Sequence, residues 1–141
     1  MDQRVKELLQ NYVNKSYEEL VALAKNSLSI LIPYFHSLNA ELGDKAIIHF
    51  ILTALAVDDG FSELEYKFLC DVLNTNESYD KIKGVVAKNA NDQSIALADT
   101  IFDNIPNDNV KAELLNLFLC IIAIDETISP TETAMFSKLL Q

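Results

Sequence analysis

Apolar residues recur at three- and four-residue spacing along nearly the whole chain, the signature of helices that bury one face. Val5, Leu8, Leu9 and Tyr12 predict a first helix over about Asp2 to Tyr12. Ser16, with Glu19 three residues on, has the form of a capping box and starts a second helix through Leu20, Leu23 and Ala24. Leu28, Leu31, Ile32, Phe35 and Leu38 continue it, and Pro33 predicts a kink or break because it lacks an N–H and crowds the carbonyl four residues back. A strongly apolar helix follows from about Glu41 to Val57, stops near Asp58-Asp59-Gly60, and gives way to another from Ser62 to about Leu73, closed by Asn74-Thr75-Asn76. Helices from about Ser78 to Lys88 and Asp92 to Ile105 come next, then a Pro106-Asn107-Asp108-Asn109 turn. A last pair, Val110 to Ile124 and Ser129 to Leu140, flanks Asp125-Glu126-Thr127-Ile128.

Displacing the sequence by 67 residues sets Ile47–Leu73 on Leu114–Leu140 without a gap. Leu52, Ala56, Asp58, Ser62, Glu65 and Leu73 meet identical residues at Leu119, Ala123, Asp125, Ser129, Glu132 and Leu140. Val57 with Ile124, Asp59 with Glu126, Phe61 with Ile128 and Phe68 with Met135 are conservative pairs, and the register runs back through Ser27 with Ser94 and Phe35 with Phe102. The expectation is one all-α domain over residues 1–141, of about seven to eight helices, in which repeat A (about 17–75) and repeat B (about 78–141) form a pseudo-symmetric bundle.

Composition narrows the function. Eleven Lys and Arg against twenty-one Asp and Glu leave a formal charge of -10, which repels phosphate backbones and disfavours nucleic acid as a ligand while suiting cations or a basic protein partner. The stretches Ile47–Val57 and Leu114–Ile124 fall well short of the roughly 20 apolar residues that span a bilayer, so no membrane insertion is expected. The N-terminus lacks the layout of a signal peptide, and Cys70 and Cys120 sit within apolar helical patterns as reduced core thiols, which together suggest a cytoplasmic protein. His36 and His49 stand in no zinc-site spacing, and no nucleophile elbow, phosphate-binding loop or Glu-x-x-His pattern occurs, so the expectation is a protein that is not an enzyme.

The repeated acids are the candidate site. Ser62 with Glu65, and Ser129 with Glu132, have the form of capping boxes, with Pro130 at a first helical position and Phe61 placed to staple to Tyr66. Asp58 and Asp125 are less easily explained, because each follows a long apolar helix whose C-terminal end carries partial negative charge and disfavours a carboxylate, and Asp59 and Glu126 compound the conflict. Either the leading aspartate turns forward and braces the corner by accepting amides of the next helix, or carboxylates and unpaired carbonyls form an oxygen-rich pocket for a hard cation such as Ca2+ or Mg2+. Asp58 to Glu65 is too short for an EF-hand loop. Gly60 suits a left-handed position that the β-branched Thr127 resists, so the second corner is expected to differ in shape.

The strings Ala-Leu-Ala-Val-Asp-Asp-Gly-Phe-Ser-Glu-Leu-Glu (54–65) and Ile-Ile-Ala-Ile-Asp-Glu-Thr-Ile-Ser-Pro-Thr-Glu (121–132) resemble the Ala-x-Ala-Asp-Gly-x-hydrophobic-Ser-x-x-Glu signature of the tellurite-resistance protein TerB and its relatives. The resemblance implies an all-helical fold with an internal duplication and a divalent cation held by acidic motif residues, here Asp58, Asp59, Glu65, Asp125, Glu126 and Glu132. It also implies a stress-response setting with a membrane-associated protein partner. The alternative is a helical interaction adaptor whose corner acids are purely structural and whose acidic surface docks a basic partner.

Overall fold

The computed structural model describes residues 3–39, 43–56, 61–88 and 91–124, with the side chains of 4–6, 44, 92, 94, 95, 98 and 99 left aside. Every regular element among them is a helix: α1 (Gln3–Val13), α2 (Tyr17–Leu38), α3 (Gly43–Ala56), α4 (Glu63–Leu73), α5 (Tyr79–Lys88), α6 (Asp92–Asp103) and α7 (Asp108–Ala123). The all-α class read from the periodicity is the class observed. The expected helix from Ser129 to Leu140 lies outside the described residues. No helix among them is long and apolar enough to cross a membrane.

α7 is the centre of the packing. Its residues from Leu117 to Ile124 are buried without interruption, as expected of a helix enclosed on all sides. α2 lies along it, α3 packs on both, α1 docks on α7, α4 rests on α2, and α5 and α6 cover α3. α2 is the longest helix, and its inner stripe is Leu20, Ala24, Ser27, Leu28, Leu31 and Phe35. The 67-residue register sets the buried α3 positions Ile47, Phe50, Ile51, Ala54 and Leu55 on the buried α7 positions Leu114, Leu117, Phe118, Ile121 and Ile122. Phe50 and Phe118 meet edge to face across the α3–α7 contact, 6.3 Å between ring centres.

Two expectations are corrected. α2 runs unbroken through Pro33, so of the kink or break expected there the break does not occur. Pro33 and Ser29, whose carbonyl loses its helical donor, both face solvent, so water can replace the missing bond while Leu31 and Phe35 anchor the inner face. The expected turn at Pro106–Asn109 is instead the start of α7. Asn107 is its N-cap, accepting the amides of Asn109 at 2.9 Å and Val110 at 3.3 Å, and Asp108 sits in the first turn, where the helix dipole favours a carboxylate.

The α2–α3 corner depends on a residue without a side chain. The amide of Gly43 donates to the carbonyl of Asn39 at 2.9 Å, and a methyl group on Gly43 would lie 2.9 Å from the His36 nitrogen and closer still to the Phe35 carbonyl. Space, rather than an unusual φ, requires glycine here.

Candidate functional site

The start of α4 is built as expected. Ser62 is the N-cap, in extended conformation; its Oγ accepts the amide of Glu65 at 3.1 Å, and Oε1 of Glu65 accepts the amide of Ser62 at 3.0 Å. Phe61 precedes the cap and is buried, but the staple is indirect. Phe61 stacks on Tyr79 at 5.6 Å, Tyr66 meets the same ring edge-on at 5.4 Å, and the Tyr79 hydroxyl donates to the Phe61 carbonyl at 2.7 Å. Tyr66 also donates to the Glu77 carbonyl at 2.7 Å, so the segment leading into α5, together with Tyr79, holds the head of α4 in place. Asn74 closes α4 in the left-handed region at φ 55°, a conformation Asn tolerates.

A second capping box lets the role of Glu65 be isolated. Ser16 and Glu19 make the same reciprocal pair at the head of α2, at 3.1 and 3.3 Å, yet Glu19 is exposed while Glu65 is 2 % exposed. Capping therefore does not require burial. Glu65 is the one charged side chain among the buried described residues. Removing a carboxylate from water costs several kcal/mol, and a charged hydrogen bond returns about 1.5–3 kcal/mol, so the box alone does not balance the burial. Glu65 has polar contacts beyond the box as well.

Of the other expected ligands, Asp58, Asp59, Asp125, Glu126 and Glu132 lie outside the described residues, as does Gly60 with its expected left-handed conformation. Among the described residues no group of three or more His, Cys, Asp and Glu comes together. The thiols of Cys70 and Cys120 are free, the latter fully buried. His49 is half-buried, with its Nε2 3.4 Å from the buried Thr53 hydroxyl, and His36 is exposed.

A polar seam that the sequence reading missed joins α1, α2 and α7. The Tyr12 hydroxyl donates to Oδ1 of Asn116; Nδ2 of Asn116 donates to Ser27 Oγ at 2.6 Å; and Ser27 Oγ donates to the Glu113 carboxylate at 2.8 Å. Ser27 is fully buried. The clue was present in the pattern: Asn116 interrupts an apolar run and Ser27 occupies the inner stripe of α2, and polar groups in such positions require partners. Burial pushes the thiol of Cys120, one turn beyond Asn116, up to about 12, with Lys15 opposing the shift weakly. Burial, with smaller contributions from Cys120 and Glu113, also raises the Tyr12 phenol.

On the outer face, the Tyr17 hydroxyl donates to Asp71 beneath the Lys67 ammonium, 4.6 Å above the Tyr17 ring centre. Burial first, and the Asp71 bond second, push that phenol well above its ordinary value. Tyr17, Val21, Lys25 and Asp71 border an open groove of about 470 Å³ between α2 and α4. No protein-family model, curated protein or solved structure matches the chain.

Proposed function

We propose that the chain is a non-enzymatic helical binding module of the TerB-like kind, and that the acid-bearing corner before α4 takes a divalent cation through oxygen donors. The burial of Glu65, set against the exposure of its capping counterpart Glu19, carries the proposal. A carboxylate drawn inward a few residues along the chain from Asp58 and Asp59 offers the hard oxygen chemistry that suits Ca2+ or Mg2+. Asp125, Glu126 and Glu132 would serve the equivalent corner of the second repeat, in a stress-response role like the one the resemblance implies.

Glutamine at a helix's third position still completes a capping box. Glu65→Gln therefore removes the charge and keeps the cap. Calorimetric titration with Ca2+, Mg2+, Mn2+ and Zn2+ should give saturable heat for at least one ion in the native chain and in Glu19→Gln, and a heat at least tenfold weaker in affinity in Glu65→Gln. Absence of heat at millimolar ion, or equal affinity in all three proteins, would count against the cation.

The adaptor reading is favoured by a different observation. Ile32 and Ile48 are 42 % and 47 % exposed and, with Ile47 and Leu73, line a cleft of about 190 Å³; contiguous apolar surface of this kind is a feature of contact sites. It predicts no ion heat and an undiminished stability for Glu65→Gln.

A further inference from the structure

We propose that α1 is a strap latched by the Tyr12–Asn116–Ser27–Glu113 seam, which opens and recloses without unfolding the bundle and so controls access to Cys120. An isolated helix of 11 residues is unstable in water, so α1 persists only through what it touches. Among the described residues those contacts fall mainly on α7. Of its described side chains only Leu9 is buried, with Leu8, Tyr12 and Val13 partly so. The core cluster, in contrast, joins α2, α3 and α7 through side chains that α1 does not separate, such as Leu31, Phe50 and Phe118. An element whose described side chains take so small a share of the core is one that opens below the free energy of global unfolding.

The chemistry of the seam fits a latch. Tyr12 is the only member contributed by α1; Asn116, Ser27 and Glu113 remain bonded to one another when it leaves. Opening therefore strands no charge on the bundle, and the released Asn116 carbonyl can accept from water, which makes the step reversible. Glu113, Asn116 and Cys120 recur at three- and four-residue spacing on one face of α7, and the bond from Tyr12 to Asn116 lays the end of α1 on that face, one turn from Cys120. Lys15 also lies 5.7 Å from the Tyr12 ring centre, closing the strap's end.

The test is the labelling rate of Cys120 by a thiol reagent in a full-length Cys70→Ser background, measured at low urea. Tyr12→Phe, which deletes only the latch hydroxyl, should raise that rate about tenfold while lowering the urea midpoint of the helical signal no further than Gly43→Ala does. Gly43→Ala, which destabilises the distant α2–α3 corner, should leave it unchanged. Leu9→Ala, which weakens the strap without touching the seam, should raise it as Tyr12→Phe does. The proposal is overturned if Tyr12→Phe and Leu9→Ala leave labelling unchanged. It is also overturned if Gly43→Ala accelerates labelling as much as they do, because the thiol would then be reached by global unfolding.

Discussion

Gly43 and Gly84 show how differently one residue type can be constrained. A methyl at Gly43 would run into the Phe35 carbonyl and the His36 amide, backbone atoms that cannot step aside, whereas nothing lies within 4 Å of a methyl at Gly84 in the middle of α5. Gly43→Ala should cost about 1–3 kcal/mol, and Gly84→Ala should gain about 1 kcal/mol from helix propensity, both measured by urea denaturation. Glu65 presents the same contrast in charge. The sequence made Ser16–Glu19 and Ser62–Glu65 look alike, and their hydrogen bonds are alike; burial separates them, and burial is a tertiary property that no capping pattern encodes.

At the level of elements, most boundaries were readable because caps are local. Ser16, Ser62 and Asn74 terminate helices as their chemistry dictates, and Ser78 receives the Lys81 amide at 3.3 Å to start α5. Ser16→Ala should cost about 1 kcal/mol, and Ser62→Ala more than Ser16→Ala because it also strips a partner from a buried carboxylate; thermal melts of the two variants compare them directly. The misreadings have physical causes. Pro33 breaks a helix only if the lost hydrogen bond cannot be met by water, and here it lies on the wet side. Asp108 and Asn109 have turn-forming side chains, but Asn107 captures their segment as a helix start. The seam through Asn116 was missed because its partners are 89 and 104 residues away in the chain, a pairing that only the assembled α1–α2–α7 contact reveals.

At the scale of the whole molecule, the buried ionisable groups set the alkaline limit of stability. The Cys120 thiol is pushed up from 9.0 to about 12 by burial. Between those values the unfolded chain has released this proton and the folded chain retains it, so stability falls as pH rises, with a slope approaching about 1.4 kcal/mol per pH unit. Tyr12 and Tyr17, both raised above 10.0, add to the loss with the same sign at higher pH. Urea titrations at pH 8, 9 and 10 should show a declining midpoint from about pH 9 onward, and Cys120→Ala should flatten the decline in that range.

The 67-residue register aligns α3 with α7 in sequence, but the two helices lie in different surroundings, since α7 is enclosed and α3 is exposed along Ile48. An ion bound at the first corner would stabilise the native bundle by mass action, by about 2.7 kcal/mol at a hundredfold excess over its Kd. The most direct measurement is the thermal midpoint of the native chain and of Glu65→Gln, each with and without saturating Ca2+ or Mg2+. A rise of several degrees in the native chain, lost in Glu65→Gln, is the predicted result; identical midpoints with and without either ion, in a variant no less stable than the native chain, would contradict it.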